Sequence, residues 1–152
     1  MKGKTDMLKI NTRDFGEIEI EESSVFDFPH GLYAFEEYRR FALLEPLGEG
    51  VYPMWLQSLD DAGLCFIVFN PTLIDGGFTL SLAGNEREIL GFKEGDDVQA
   101  LVIARVPADY KHTTVNMKSP IVINKSLKRA LQVILPDDYP FRMPVYESRE
   151  VK

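Results

Sequence analysis

The residues able to do chemistry are few and scattered. Two histidines, His30 and His112, one cysteine, Cys65, and two adjacent acid pairs, Asp60-Asp61 and Asp96-Asp97, are the first candidates for acid–base, nucleophilic or metal chemistry. His30 sits in a Pro-His-Gly turn and His112 at a strand start, so both read as ordinary surface histidines. No Cys or His spacing would close a zinc site. No phosphate loop, Gly-x-Ser-x-Gly elbow or dinucleotide fingerprint is present. Neighbours on a strand point to opposite faces, so the acid pairs read as turn acids and not as a shared proton or metal site. Cys65 lies in an apolar run, where a thiol behaves as a small inert hydrophobe. Trp55, between Met54 and Leu56, reads first as core and second as the wall of a ligand pocket inside a barrel. Gln57 and Ser58 either satisfy turn backbone groups or meet a partner at a sheet rim; the sequence leaves both open. The chain is expected to have no catalytic residue, metal or cofactor.

The elements that would position these residues are short. Gly and Pro recur every 8 to 15 residues along the 152-residue chain, which suggests many short strands. Phe15, Ile18 and Ile20, with Glu17, Glu19 and Glu21 among them, predict a strand with one buried and one acidic face. Strands are also predicted over 24–28, 40–44, 54–59, 64–69, 98–106, 113–117, 121–124 and 131–135, with alternation over 78–82. Asp60-Asp61-Ala62-Gly63, between two apolar runs, is the strongest hairpin signal. Pro29-His30-Gly31 and Asp75-Gly76-Gly77 read as turns. Residues 35–38 and 125–130 read as helical turns, and 85–90 as a short helix capped by Asn85. The pattern predicts a mainly all-β fold: a single domain over residues 1–152, built as a small closed or partly open antiparallel β-barrel with one or two short helices.

Composition narrows the class. Hydrophobic residues make up 45% and charged residues 27%, the balance of a soluble globular chain and not a disordered one. One cysteine rules out an intrachain disulfide and fits a reducing compartment. The first ten residues carry no secretory core, and no apolar run reaches the roughly 18 residues of a membrane helix. A cytoplasmic protein is expected, with no membrane partner. The net charge of −7 arises within residues 1–61, which hold 13 acidic and 6 basic side chains; the remainder is balanced. An acidic face attracts a basic protein and speeds encounter. It disfavours direct nucleic-acid binding, which needs clustered cations.

Several strings carry a family resemblance. Phe28-Pro29-x-Gly31-Leu32 with Phe35, then Leu56-Gln57-Ser58, then Asn116 with Ser119-Pro120-Ile121-Val122, then Gln132, resemble in order the signature of the flagellar assembly factor FliW family. The chain departs from that signature at Tyr33-Ala34, where Pro-Gly is expected, and at Met117-Lys118-Ser119, where Leu and Ala are more usual. The resemblance implies a non-enzymatic switch. Such a protein binds cytoplasmic flagellin and, when free, binds carbon storage regulator A, a small RNA-binding dimer that represses flagellin synthesis. The charge reading agrees, since an RNA-binding partner is basic.

For the regulator contact the expected residues are Asp75, Thr79, Ser81, Asp96 and Asp97, with Asp60 and Asp61 as further members. For flagellin, whose ends are amphipathic helices, an apolar groove is expected. Two other readings compete. One is a small-molecule barrel with a pocket around Trp55. The other is an RNA-binding barrel using Lys111, Lys118, Lys125, Lys128 and Arg129, which would need aromatic platforms; Tyr110 alone lies nearby in that segment.

Overall fold

The computed structural model describes residues 6–93, 96 and 98–146. Eleven strands occur among them: β1 (Met7–Thr12), β2 (Gly16–Glu21), β3 (Val25–Asp27), β4 (Arg40–Leu44), β5 (Met54–Ser58), β6 (Cys65–Phe69), β7 (Val98–Arg105), β8 (Thr114–Val115), β9 (Ile121–Asn124), β10 (Arg129–Gln132) and β11 (Met143–Pro144). Two helices, α1 (Pro71–Ile74) and α2 (Gly84–Leu90), lie between β6 and β7. Seven strands close into a barrel in the order β3-β4-β5-β6-β7-β9-β10, with β10 returning to β3. Strand direction cannot alternate all the way round an odd ring, so one junction must be parallel. It is β3–β10, paired at Asp27 and Arg129; the other six junctions are antiparallel.

Alternation along each strand sorts the side chains. Phe26, Phe41, Leu43, Met54, Leu56, Val68, Leu101, Ile121, Ile123 and Ala130 pack together inside the barrel. Their neighbours face outward into two outer layers. Ala42, Leu44 and Trp55 meet Ile10 and Ile20 of the β1–β2 hairpin, which covers β4 and β5. Phe69, Val102, Val122 and Leu131 meet Phe78, Leu90, Met117, Val133 and Leu135. Apolar side chains on both faces explain why the run ending at Phe69 has no polar alternation.

The structure changes several boundaries. Residues 35–38 form a turn with a Leu32–Phe35 bridge and no helix. Residues 78–82 form no strand and join no ladder; Phe78 is buried, while Thr79 and Ser81 are exposed. The cap of α2 is Ala83 and not Asn85: Glu86 Oε1 accepts the Ala83 N–H at 2.7 Å. The strand expected over 131–135 runs instead over Arg129–Gln132, although the Val133 and Leu135 amides still donate to Pro120 and Lys118 carbonyls. The alternation of Leu8, Ile10 and Thr12 with Lys9 and Asn11 was the unused signal for β1.

At the signature departure, Ala34 has φ +74°, a left-handed conformation. That region costs an L-residue roughly 1–2 kcal/mol, and glycine enters it freely. Ala34→Gly is therefore expected to stabilise the protein by about 1 kcal/mol, measured by urea denaturation.

Candidate partner-binding surfaces

The tip of the β1–β2 hairpin is tied to the barrel by polar groups. Gln57, fully buried on the outer face of β5, accepts the Arg13 N–H through Oε1 at 2.9 Å. Its Nε2 donates to the carbonyls of Ala62 at 3.0 Å and Ser58 at 3.1 Å. Ser58 Oγ accepts the Asp60 and Asp61 amides, each at 3.0 Å. The question left open by sequence is thereby answered: this pair satisfies turn backbone and anchors the hairpin.

Trp55 faces outward beneath that hairpin. Its Nε1 donates to Asp14 Oδ2 at 2.9 Å, and its ring meets Phe15 edge-on at 5.6 Å. The competing reading of a pocket around Trp55 inside the barrel is thus overturned, because strand parity turns Met54 and Leu56 inward and Trp55 outward. Arg13 forms a second tie: Nη2 pairs with Asp14 at 2.9 Å and Nη1 donates to the Cys65 carbonyl at 3.0 Å.

The hydrogen bond from Arg13 holds the Asp14 carboxyl below the ordinary carboxylate range; partial burial opposes this and the Trp55 donor reinforces it. A depressed folded value means the tie is present above the ordinary value of 3.8 and is lost as pH falls through the lower folded value. Emission from Trp55, the sole tryptophan, is expected to stay constant down to the ordinary carboxylate range and change only below it, in an acid titration. Burial, opposed by Arg13, pushes the Cys65 thiol up to about 11, which suits an inert core residue.

Between the hairpin and the end of β4 lies an apolar groove of about 400 Å³. Phe15, Ile18, Ile20, Leu43, Leu44 and Pro46 line it, with Glu21 and Glu45 at its margin. Glu17 and Glu19 alternate with Ile18 and Ile20 and stand exposed on the opposite face of β2.

The predicted contact acids separate into two places. Asp75 follows β6 by way of α1, and Asp96 precedes β7. Because β6 and β7 are antiparallel, both lie at one end of the barrel. Thr79 and Ser81 belong to the segment whose Phe78 and Leu80 sit beside the start of β7. Asp97 lies outside the described residues. Asp60 and Asp61 occupy the β5–β6 turn at the opposite end. Three of the described acids shape their own turns, and the fourth, Asp60, ties the segment before β4 to the β5–β6 turn. Asp75 Oδ1 accepts Gly77 N–H at 2.9 Å, Asp96 Oδ2 accepts Lys93 N–H at 2.7 Å, Asp61 Oδ1 accepts Gly63 N–H at 2.9 Å and Asp60 Oδ2 accepts Arg39 N–H at 3.1 Å. Thr79 N–H donates to the Tyr139 hydroxyl and Ser81 Oγ to Asp137.

The cations expected of an RNA-binding face do not share one. Lys118 Nζ reaches the Asp137 carbonyl, Arg129 Nη1 donates to the Ile89 carbonyl beside α2, and Lys125 and Lys128 stand at a barrel end. Tyr110 is exposed beside Lys111 but packs edge-on against Tyr146. His112 is exposed, 3.6 Å from Asp109, and His30 lines a surface cleft near α2. No described helix is long and apolar enough to cross a membrane.

Polar staples on a filled barrel, an acidic margin and an apolar groove define a small closed β-barrel protein with a hairpin fastened over one wall. Comparison with known proteins gives the family. The FliW protein family model matches residues 9–145. The flagellar assembly factor FliW of Alkaliphilus metalliredigens is 33% identical over 85% of this chain and 80% of its own. That of Natranaerobius thermophilus is 33% identical over 95% of this chain and 97% of its own. A crystal structure of the flagellar assembly factor FliW superposes with a TM-score of 0.85 at 30% identity, covering 94% of this chain and all of that one. The chain belongs to the FliW family.

Proposed function

We propose that this protein is a non-enzymatic, cytoplasmic flagellar assembly factor that binds flagellin and, when free of it, binds and antagonises carbon storage regulator A. The observation that carries this reading is an apolar groove with an acidic margin on a scaffold whose relatives are named flagellar assembly factors. Flagellin's amphipathic ends suit the groove beneath the hairpin, as a helix laid on apolar anchors. The regulator suits the acidic end marked by Asp75, Thr79, Ser81 and Asp96, with Asp97 beside them in sequence. Translation control and a buried, unreactive thiol both fit the cytoplasm.

Calorimetry of the purified protein with carbon storage regulator A, at low and high salt and with and without flagellin, tests the reading. Salt-sensitive binding that flagellin abolishes is the expected result. Absence of binding to either partner at tens of micromolar would sink it. Within that experiment, reversal of Asp75 and Asp96 to lysine is expected to weaken regulator binding about threefold to tenfold at low salt. Reversal of Asp60 and Asp61, at the far end, provides the comparison that says which end the regulator occupies.

A further inference from the structure

One barrel end is a cup of about 490 Å³, within the usual range for small-ligand sites, which favour barrel mouths. Its apolar floor is Phe26, Leu43 and Met54, all buried members of the inner core. Gln99 turns inward, since it stands opposite Ile123 and two residues before Leu101. Its Nε2 donates to the Tyr52 hydroxyl at 3.0 Å, while its Oε1 is buried and finds no donor among the described residues. A buried acceptor without a partner costs stability, so it marks a place where a donor is to be supplied.

The rim carries both signs of charge. Lys125 and Lys128 stand in the loop between β9 and β10, and Glu45 and Glu49 follow β4. None of the four forms an ion pair with another described residue. Lys128 has φ +57°, a strained conformation for lysine, and its Nζ stands 5.4 Å from the Phe26 ring centroid. Strain of this kind persists where the surroundings impose it and collects at ligand sites.

We propose that this mouth binds a free apolar α-amino acid. The ammonium donates to Gln99 Oε1, the carboxylate faces Lys125 and Lys128, and the aliphatic side chain covers the floor. A zwitterion is the ligand class that answers both signs of the rim and the unpartnered acceptor together.

The test is titration of the full chain with L-leucine to roughly 5 mM, read by thermal shift and by backbone amide NMR. Isocaproate, which lacks the ammonium, and isoamylamine, which lacks the carboxylate, are the comparison probes. L-leucine is expected to raise the melting temperature and to move amides near Gln99, Tyr52 and Lys128. Each analogue is expected to bind at least about tenfold more weakly. Gln99→Leu removes the unpartnered Oε1, at the cost of one bond to the Tyr52 hydroxyl, and keeps similar size, so it is expected to remain folded and to lose leucine binding by about tenfold or more. No response to L-leucine, equal binding of either analogue, or undiminished binding by folded Gln99→Leu would each overturn the proposal.

Discussion

Gln57→Leu is expected to destabilise the protein by about 2–3 kcal/mol and to loosen the hairpin before the barrel. The side chain is fully buried, and its loss strands the Arg13 N–H and the Ala62 carbonyl. Each bond lost from these part-buried groups costs roughly 0.5–1.5 kcal/mol, and leucine restores only volume. Because Arg13 and Asp14 sit at the hairpin tip, Trp55 should lose its Asp14 acceptor and its Phe15 cover. A red shift of Trp55 emission in denaturant, ahead of the global transition seen by circular dichroism, is the expected signature. Coincident transitions at an unchanged midpoint would show that Gln57 does not hold the two layers together. The apolar groove shares Phe15 and Ile20 with the hairpin, so the same variant should also weaken whatever occupies that groove.

Gly31→Ala is expected to cost about 2–5 kcal/mol, through two additive causes. Gly31 has φ +63°, and a Cβ there would stand 2.6 Å from both the Cα and the carbonyl oxygen of Glu36. Those are backbone atoms and cannot swing aside. Left-handed strain contributes roughly 1–2 kcal/mol and overpacking roughly 1–3. Gly50 separates the two: its φ is +75°, but nothing lies within 4 Å of its Cβ position. Gly50→Ala should therefore show the strain alone. Equal losses at the two positions, measured by chemical denaturation, would remove the clash from the account.

Much of the barrel was legible because its strands are short, apolar and separated by turn residues. Met54–Ser58 and Cys65–Phe69 fall where the Asp60–Gly63 turn required, and Val98–Arg105 begins where expected. The 78–82 alternation matches the exposure in part: Phe78 is buried, Leu80 and Leu82 are half-buried, and Thr79 and Ser81 are exposed. It is not a strand, since ladder pairing depends on a neighbour that no local pattern records. The helix cap was misplaced because α2 begins earlier, at an alanine with no capping side chain, where Glu86 reaches back to accept the Ala83 amide.

The signature residues proved to be scaffold. Besides Gln57 and Ser58, Asn116 Oδ1 accepts the Lys118 and Ser119 amides, and Gln132 joins the Tyr33 amide to the Ser119 carbonyl. They identify the fold because they hold its loops. They say little about surfaces, and for that reason neither the hairpin groove nor the Gln99 mouth could be assigned from sequence. Both are assembled from strands distant in the chain, and Gln99 reads there as one polar residue in an apolar strand.

The β3–β10 junction also governs when the molecule becomes complete during synthesis. Asp27 must meet Arg129, about a hundred residues later in the chain. A chain released only through β7 has no strand to join β7 to β3, so the partners that seal Phe26, Phe41 and Leu56 and pair the free edge of β3 are still missing. The ring can shut only after β9 and β10 have emerged. A truncated product then lacks both the sealed interior and the Lys125–Lys128 side of the mouth, while its β1–β2 hairpin can already form from neighbouring residues. The order of emergence thus separates the two surfaces in time: the groove-forming end is made early, and the barrel that supports it is finished last.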